Sequence, residues 1–222
     1  MKTKIFLKIA GLVVSSLSFY GCTSYQVNVN GYLGVPSDSS ISKASTICVV
    51  ENKDADNTIL ENEIKTKIEK LLVSAGYSIG DKESADYYIL FGYGISDGKE
   101  VTGSVPIYNP GQTATVNTFG TYGSSYSTVQ TPGHTTYMPY SYAVFTRYLQ
   151  LKLIDAECFR KSSDIKDIWI GEVTSTGRNS DLREAINYLL IPAFKYFGQN
   201  TKKAIREEIF ENDKRVRALV SK

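Results

Sequence analysis

From Ser96 to Tyr142 the chain runs through a stretch dominated by Thr, Ser, Gly and spaced tyrosines that almost lacks charge. Forty-odd residues exceed an ordinary connection inside a compact domain, so the segment must be an arm, a lid or a partly disordered loop. Thr and Tyr favour extended chain while Gly opposes order, and a long, weakly specified hairpin fits both tendencies. Pro132-Gly133 and Pro139 add turns. Exposed tyrosines combine apolar area with a hydroxyl and lose little entropy on binding, which makes Tyr122, Tyr126, Tyr137 and Tyr140 candidate contacts to a partner or a sugar ring. The plainer alternative is a loop whose aromatics pack on their own domain.

Outside that stretch the composition is that of a globular domain. Of 222 residues, 42% are apolar, 12% aromatic and 22% charged, which excludes collagen, coiled coil, a mostly disordered chain and a disulfide mini-protein. The formal charge of +2 becomes −1 when Lys2, Lys4 and Lys8 are set aside with the leader. No excess of positive charge is left to attract a nucleic-acid backbone, so no nucleic-acid partner is expected.

The leader itself has three parts: a basic start at Met1-Lys2-Thr3-Lys4, an apolar run from Ile9 to Tyr20, and a turn-like Gly21-Cys22-Thr23-Ser24. The apolar run is too short for a spanning helix, which takes about 20 residues, and matches an export signal over residues 1–21. The cysteine after Gly21 resembles the lipobox of bacterial lipoproteins. That resemblance implies cleavage before Cys22, diacylation of its thiol and acylation of the new amino terminus, since two or more chains hold a protein durably where one holds it marginally. Phe19 and Tyr20 depart from the Leu and small residue usual at those places. Cleavage after Ser18 is the alternative, and it leaves a soluble periplasmic protein with a free Cys22. Thr23 stands where an inner-membrane protein would carry Asp, which by the same resemblance implies the outer membrane. In an oxidising envelope Cys48 and Cys158 either form a disulfide, if their strands lie close enough, or remain two buried thiols.

Residues 22–43, rich in Ser, Asn, Gly and Tyr, read as a flexible tether. Regular units begin at Ala44. Ile47 to Val50 is a short buried strand, and Leu60, Ile64, Ile68, Leu71, Leu72 and Ala75 give one helical face over Thr58 to Ala75, with Thr58 and Glu61 as a capping box and Gly76 as the stop. Tyr77 to Ile79 is a brief strand. Asp86 to Tyr93 is apolar on both parities, as expected of a central strand. Leu149, Leu151 and Leu153 alternate with polar residues, and Ile168 to Val173 follows through a polar turn at 161–166, so these two should pair as an antiparallel hairpin. A helix should start after an N-cap at Ser180, kink at Pro192 and end at Gly198. Residues 201–222 read as a third, charge-laden helix on the line Ile205, Ile209, Val216 and Val220. The expected fold is therefore α+β: a mixed, largely antiparallel sheet of about five strands with helices mainly on one face, over residues 44–200, interrupted by the insertion at 96–142.

Chemistry is sparse. His134, the single histidine, sits in the insertion with nothing to hold it for a nucleophile–base pair. No Cys-x-x-Cys or His-x-x-x-His spacing offers a metal site, and Gly92-Tyr93-Gly94 misses the dinucleotide pattern, so neither metal nor cofactor is expected. Asp155 with Glu157, Asp164 with Asp167, and Glu172 with Asp181 are the carboxylate pairs near strand ends that a glycosidase would need across a cleft. As solvated turn residues and caps they need no cleft. Trp169, inside an apolar strand, is expected in the core.

Taken together, Gly76-Tyr77, Ala85-Asp86-Tyr87-Tyr88-Ile89, Leu149 to Asp155, and Ile168-Trp169-Ile170-Gly171-Glu172 leading to Ser175-Thr176-Gly177 resemble a family of uncharacterised bacterial envelope lipoproteins carrying a domain of unknown function. The resemblance spans roughly residues 44–200 and implies a small αβ domain but transfers no catalytic residue. The charged C-terminal segment departs from it. The expectation is a lipid-anchored, periplasm-facing, non-enzymatic module that contacts an envelope protein or polysaccharide. A wall or polysaccharide hydrolase with a carboxylate pair, and an accessory subunit of a secretion-type assembly, are the alternatives.

Overall fold

The computed structural model describes residues 24–34, 41–120, 123–162 and 165–220. Alternation of apolar and polar residues builds most of its strands. In β1 (Ser24–Leu33) Tyr25, Val27 and Val29 are buried while Gln26 and Asn28 face solvent. β2 (Thr46–Val50), α1 (Thr58–Ser74), β3 (Ser78–Ile79) and β4 (Tyr87–Ile95) follow. β2 runs parallel to β3 and β4, with α1 as the connection that parallel strands need. β8 (His134–Asp155) carries Leu149, Leu151 and Leu153 inward, and the seven-residue α2 (Ala156–Ser162) leads to β9 (Asp167–Gly177), its antiparallel partner. Then come α3 (Leu182–Lys195), β10 (Ile205–Phe210) and α4 (Lys214–Val220).

The strands line up as β10-β1-β9-β8-β4-β2-β3, with the further strand β5 (Lys99–Asn109) attached to the outer length of β8. The mixed sheet thus has eight strands rather than about five. Its inward rows are in register: Ile89, Leu153 and Trp169 lie side by side, and so do Phe91, Leu151 and Gly171. α1 and α3 cover this face with Ile64, Ile68, Leu72, Ile186, Leu189 and Leu190. α2 closes one corner of the other face, where Phe159 meets Tyr88 edge-on over Ile154 and Ala156. No helix among the described residues is long and apolar enough to cross a membrane.

Two sequence expectations are corrected here. The part of the 22–43 stretch that is described does not hang free: residues 24–33 form β1, hydrogen-bonded on one side to β9 and on the other to β10. The 201–222 segment is not one helix, because Ile205 to Phe210 pairs along β1 before the chain turns into α4. Ile205 and Ile209 are four apart, a spacing that fits one face of a strand as well as one face of a helix, and the open edge of β1 decided between them.

Smaller corrections concern caps. Asn57, not Thr58, caps α1 by accepting from the Leu60 amide at 3.0 Å, and Glu61 instead reaches back to accept from the Asn52 amide at 2.7 Å. Asp181, not Ser180, caps α3 by accepting from the Glu184 amide at 3.0 Å. Pro192 sits within α3, which continues to Lys195.

Three carboxylates tie the helical layer and the β10 edge to their surroundings. Glu63 on α1 accepts from Arg183 Nε of α3 at 2.7 Å and from Lys67 Nζ at 2.6 Å. Burial alone would raise its pKa, but these two cations outweigh burial and hold it below the usual carboxylate range. Lys195 and Tyr196 donate to Glu207 at 2.7 and 2.5 Å and hold it low as well, as Arg215 does for Asp213. A carboxyl whose folded pKa lies below its unfolded value adds stability above the unfolded value and loses it as pH falls through the folded one. The melting temperature is therefore expected to drop as pH falls from about 5 toward 3. Glu207→Gln should remove about 0.5–1 kcal/mol of that acid dependence, as exposed pairs of this kind do; an unchanged profile in thermal melts would contradict the pairing.

Candidate functional site

β8 extends eleven residues beyond Phe145, its last partner position with β9, and there, among the described residues, it pairs only with β5, from Lys99–Val144 to Asn109–His134. The same register resumes in β6 (Gln112–Gly120) and β7 (Gly123–Thr131), from Gln112–Thr131 to Gly120–Gly123. Residues 99–144 are thus one long two-stranded ribbon, interrupted once where Pro110-Gly111 stands opposite Pro132-Gly133 and the prolines offer no amide to the ladder. Twenty-two residues of extended chain reach about 70 Å. The segment that the sequence leaves as arm, lid or loop is an arm.

Cross-strand pairs explain how so glycine-rich a segment stays extended. Gly103 faces Tyr140, whose ring lies across it where a side chain would otherwise stand, and Gly94 at the base is covered by Tyr148 in the same way. Tyr140 and Tyr142 stack with centroids 6.0 Å apart, and the Arg178 guanidinium sits 3.8 Å over the Tyr142 ring. Pairing directly across the ribbon puts Val101, Val105, Ile107, Met138, Tyr140 and Tyr142 on one face, and Thr102, Ser104, Thr135, Tyr137 and Ser141 on the other. Most of these side chains are exposed, Tyr137 to 69% and Met138 to 57%. No Asp, Glu, Lys or Arg occurs from Val101 to Thr146. Of the four candidate contact tyrosines, Tyr137 and Tyr140 are exposed on opposite faces of β8, Tyr126 lies in β7 opposite Asn117, and Tyr122 is outside the described residues. Sequence reading missed Val101, Val105, Ile107 and Met138, although their alternation with Thr102, Ser104 and Pro139 is the period-two signal of a strand.

The arm leaves a sheet whose sequence matches the family described as "Domain of unknown function (DUF4136)" over residues 16–197, more than four-fifths of the chain. The chain belongs to that family. The match takes in β1 and ends before β10, so β1 is part of the family domain and the C-terminal strand and helix lie beyond it. No curated protein matches in sequence. Among solved structures, a PDZ domain protein from Parabacteroides distasonis aligns with TM-score 0.47 and 13% identity over 84% of this chain, which spans only 39% of that protein. The PelC dodecamer from Paraburkholderia phytofirmans aligns with TM-score 0.41 and 12% identity, covering 78% of this chain and 98% of that one.

The remaining candidates of the DUF4136 domain are dispersed. Cys22 and Asp164 lie outside the described residues. Cys48 and Cys158 are free thiols. Cys48 lies in β2, but Cys158 lies in the helix α2 and not in a strand, so the expected strand-to-strand disulfide is not formed. Burial pushes the Cys48 thiol pKa up. His134 is exposed opposite Asn109. Asp155 accepts from the Cys158 amide at 2.9 Å, Glu157 pairs with Lys161, Asp167 with Lys152 at 3.4 Å, and Glu172 accepts from Gln150 at 3.4 Å. These acids do local structural work. No group of three His, Cys, Asp or Glu residues able to hold a metal occurs among the described residues.

Arg147 is a buried charge that sequence reading overlooked. It occupies an inward position of β8 and is 1% exposed, under a cavity of about 340 Å³ lined also by Tyr25, Arg178, Asn179 and Glu211. Its guanidinium donates to the Asn179 carbonyl and to Ser175 Oγ, both at 3.2 Å, and lies 5.1 Å over the Tyr25 ring, itself stacked on Tyr188. Burial lowers its pKa. At that depth it ties the base of the arm to β9 and the approach to α3 and presents little surface to a ligand.

Proposed function

We propose that this protein is a lipid-anchored, periplasm-facing protein of the bacterial outer membrane and a non-enzymatic binding or assembly module that makes its contacts through the 99–144 arm. The observation that carries the reading is a ribbon about 70 Å long, uncharged from Val101 onward, with exposed apolar and aromatic side chains and little packing to its own domain. A surface of that kind fits contact better than catalysis, and the acids that could serve a hydrolase are spent on caps and local pairs. The anchor rests on the leader and on acyl chains attached to Cys22.

Two measurements test it. The intact mass of the membrane-extracted mature chain should correspond to a start at Cys22 with three acyl chains; an unmodified thiol in the soluble fraction would remove the anchor. A variant lacking residues 104–138 should keep the circular dichroism and melting temperature of the domain but lose its co-purifying partner. Unchanged partners in that folded variant would remove the arm as the contact.

A further inference from the structure

We infer that the arm's partner is the arm of another copy of this chain, with the β5 edge of one ribbon pairing to the β8 edge of the next, so that several copies build one continuous sheet. This rests on the reading of the arm as the contact and of Cys22 as an anchor that orients every copy alike.

The ribbon has two strands and therefore two open edges, since β5 pairs with β8 alone and β8 beyond Phe145 has only β5 beside it. A two-stranded ribbon is at best marginal by itself in water, and a third strand is what ordinarily stabilises it. Proteins block unwanted pairing at such edges with short strands or charged side chains. The domain's own sheet does both: β3 is two residues long, and β10 carries Arg206, Glu207 and Glu208. The arm is long and, past Lys99 and Glu100 at its base, carries no charge as far as Thr146; Pro106 in β5 and Pro139 in β8 break its edges only at single points. Charge guards the ends of the sheet and is missing from the ribbon beyond its base. An uncharged edge also lets identical segments lie side by side without like-charge repulsion, which is the particular demand of self-pairing.

Strand direction then fixes the arrangement. β5 and β8 are antiparallel. If all copies point the same way, an antiparallel junction between copies can only join β5 of one to β8 of its neighbour. That junction is heterologous, so it propagates into a row and ends only by closing into a ring. Each junction closes on the order of ten to twenty backbone hydrogen bonds, about one per residue outside the prolines. One face of the resulting sheet carries Val101, Val105, Ile107 and Met138, and the other carries Thr102, Ser104, Tyr108 and Tyr137. Closure removes the last edges, and eight strands, the small-barrel size, correspond to about four copies.

The test uses the full chain extracted in detergent. Sedimentation should give an oligomer of at least about four protomers, and Thr102→Lys with Ser104→Lys, which puts charge on the β5 edge, should reduce it to monomer while the domain's melting temperature is unchanged. A photo-crosslinking residue in place of Tyr137 should give an adduct of twice the protomer mass whose joined peptide maps to 99–109 of the second copy. A Tyr137 adduct with a different protein, or insertion of a monomeric arm into phosphatidylethanolamine–phosphatidylglycerol vesicles, overturns self-pairing but leaves the arm as a contact element. A monomer with no adduct of any kind overturns both readings, and an oligomer that survives the lysine variant unchanged overturns edge pairing.

Discussion

A chain that begins at residue 44 is expected not to fold, whereas one that begins at residue 23 is expected to melt cooperatively, both being made without leader or lipid. Removing β1 deletes the strand between β9 and β10. It takes with it Val27 and Val29, both closed to solvent, and the Tyr25 ring that lies 3.9 Å from Tyr188 and beneath Arg147. Full burial of an aliphatic side chain contributes about 1.5–3 kcal/mol, so the three side chains alone approach the 5–15 kcal/mol by which a typical domain is stable (roughly). The loss also uncovers the β9 edge and leaves β10 without a partner. Thermal melts by circular dichroism decide it: a cooperative transition of normal amplitude in the shorter chain would mean that residues 24–33 are dispensable and that β1 is misplaced.

Trp169→Ala should have the largest effect of any single substitution in the core. The indole is 1% exposed, lies edge-on to Phe197 at 4.9 Å, covers Gly171 and donates from Nε1 to the Gln199 carbonyl at 3.0 Å. Truncation creates a cavity and leaves that carbonyl without its donor, and the expected cost is about 3–5 kcal/mol. Urea titration should show a lower midpoint with an unchanged slope. Trp169→Phe keeps most of the volume and should recover more than half of the loss; a cost below about 1 kcal/mol for the alanine variant would place the indole outside the core.

The core was legible where one period dominated. Leu149, Leu151 and Leu153 could be placed on one face by alternation, and Ile64, Ile68 and Leu72 on one helical face by threes and fours. Trp169 was expected inside and is inside. β1 shows the opposite case: its Tyr25, Val27 and Val29 alternate as clearly as any strand, but Ser24, Gln26, Asn28, Asn30 and Gly31 among and beside them give the composition of a linker, and composition masked the period. β10 was ambiguous in principle, because Ile205 and Ile209 satisfy both periods and only the unfilled edge of β1 selects the strand. In the arm, glycine counted against order because its effect was judged residue by residue. Gly103 is under Tyr140 and Gly94 under Tyr148, an arrangement that exists only between strands and that no single strand's sequence contains. Arg147 escaped for the same reason: its partners Ser175 and Asn179 are 28 and 32 residues away.

A single strand serves as both a central member of the sheet and one rail of the projection. β8 runs for 22 residues and is held between β4 and β9 over eight of them, Arg147 to Ile154. Tension applied at the far end therefore travels along the backbone into two ladders loaded in shear, so that their rungs resist together instead of opening one at a time. Such a strand makes the projection a stiff mechanical extension of the body, and a pull on it is felt first by the rows that contain Arg147 and Leu149.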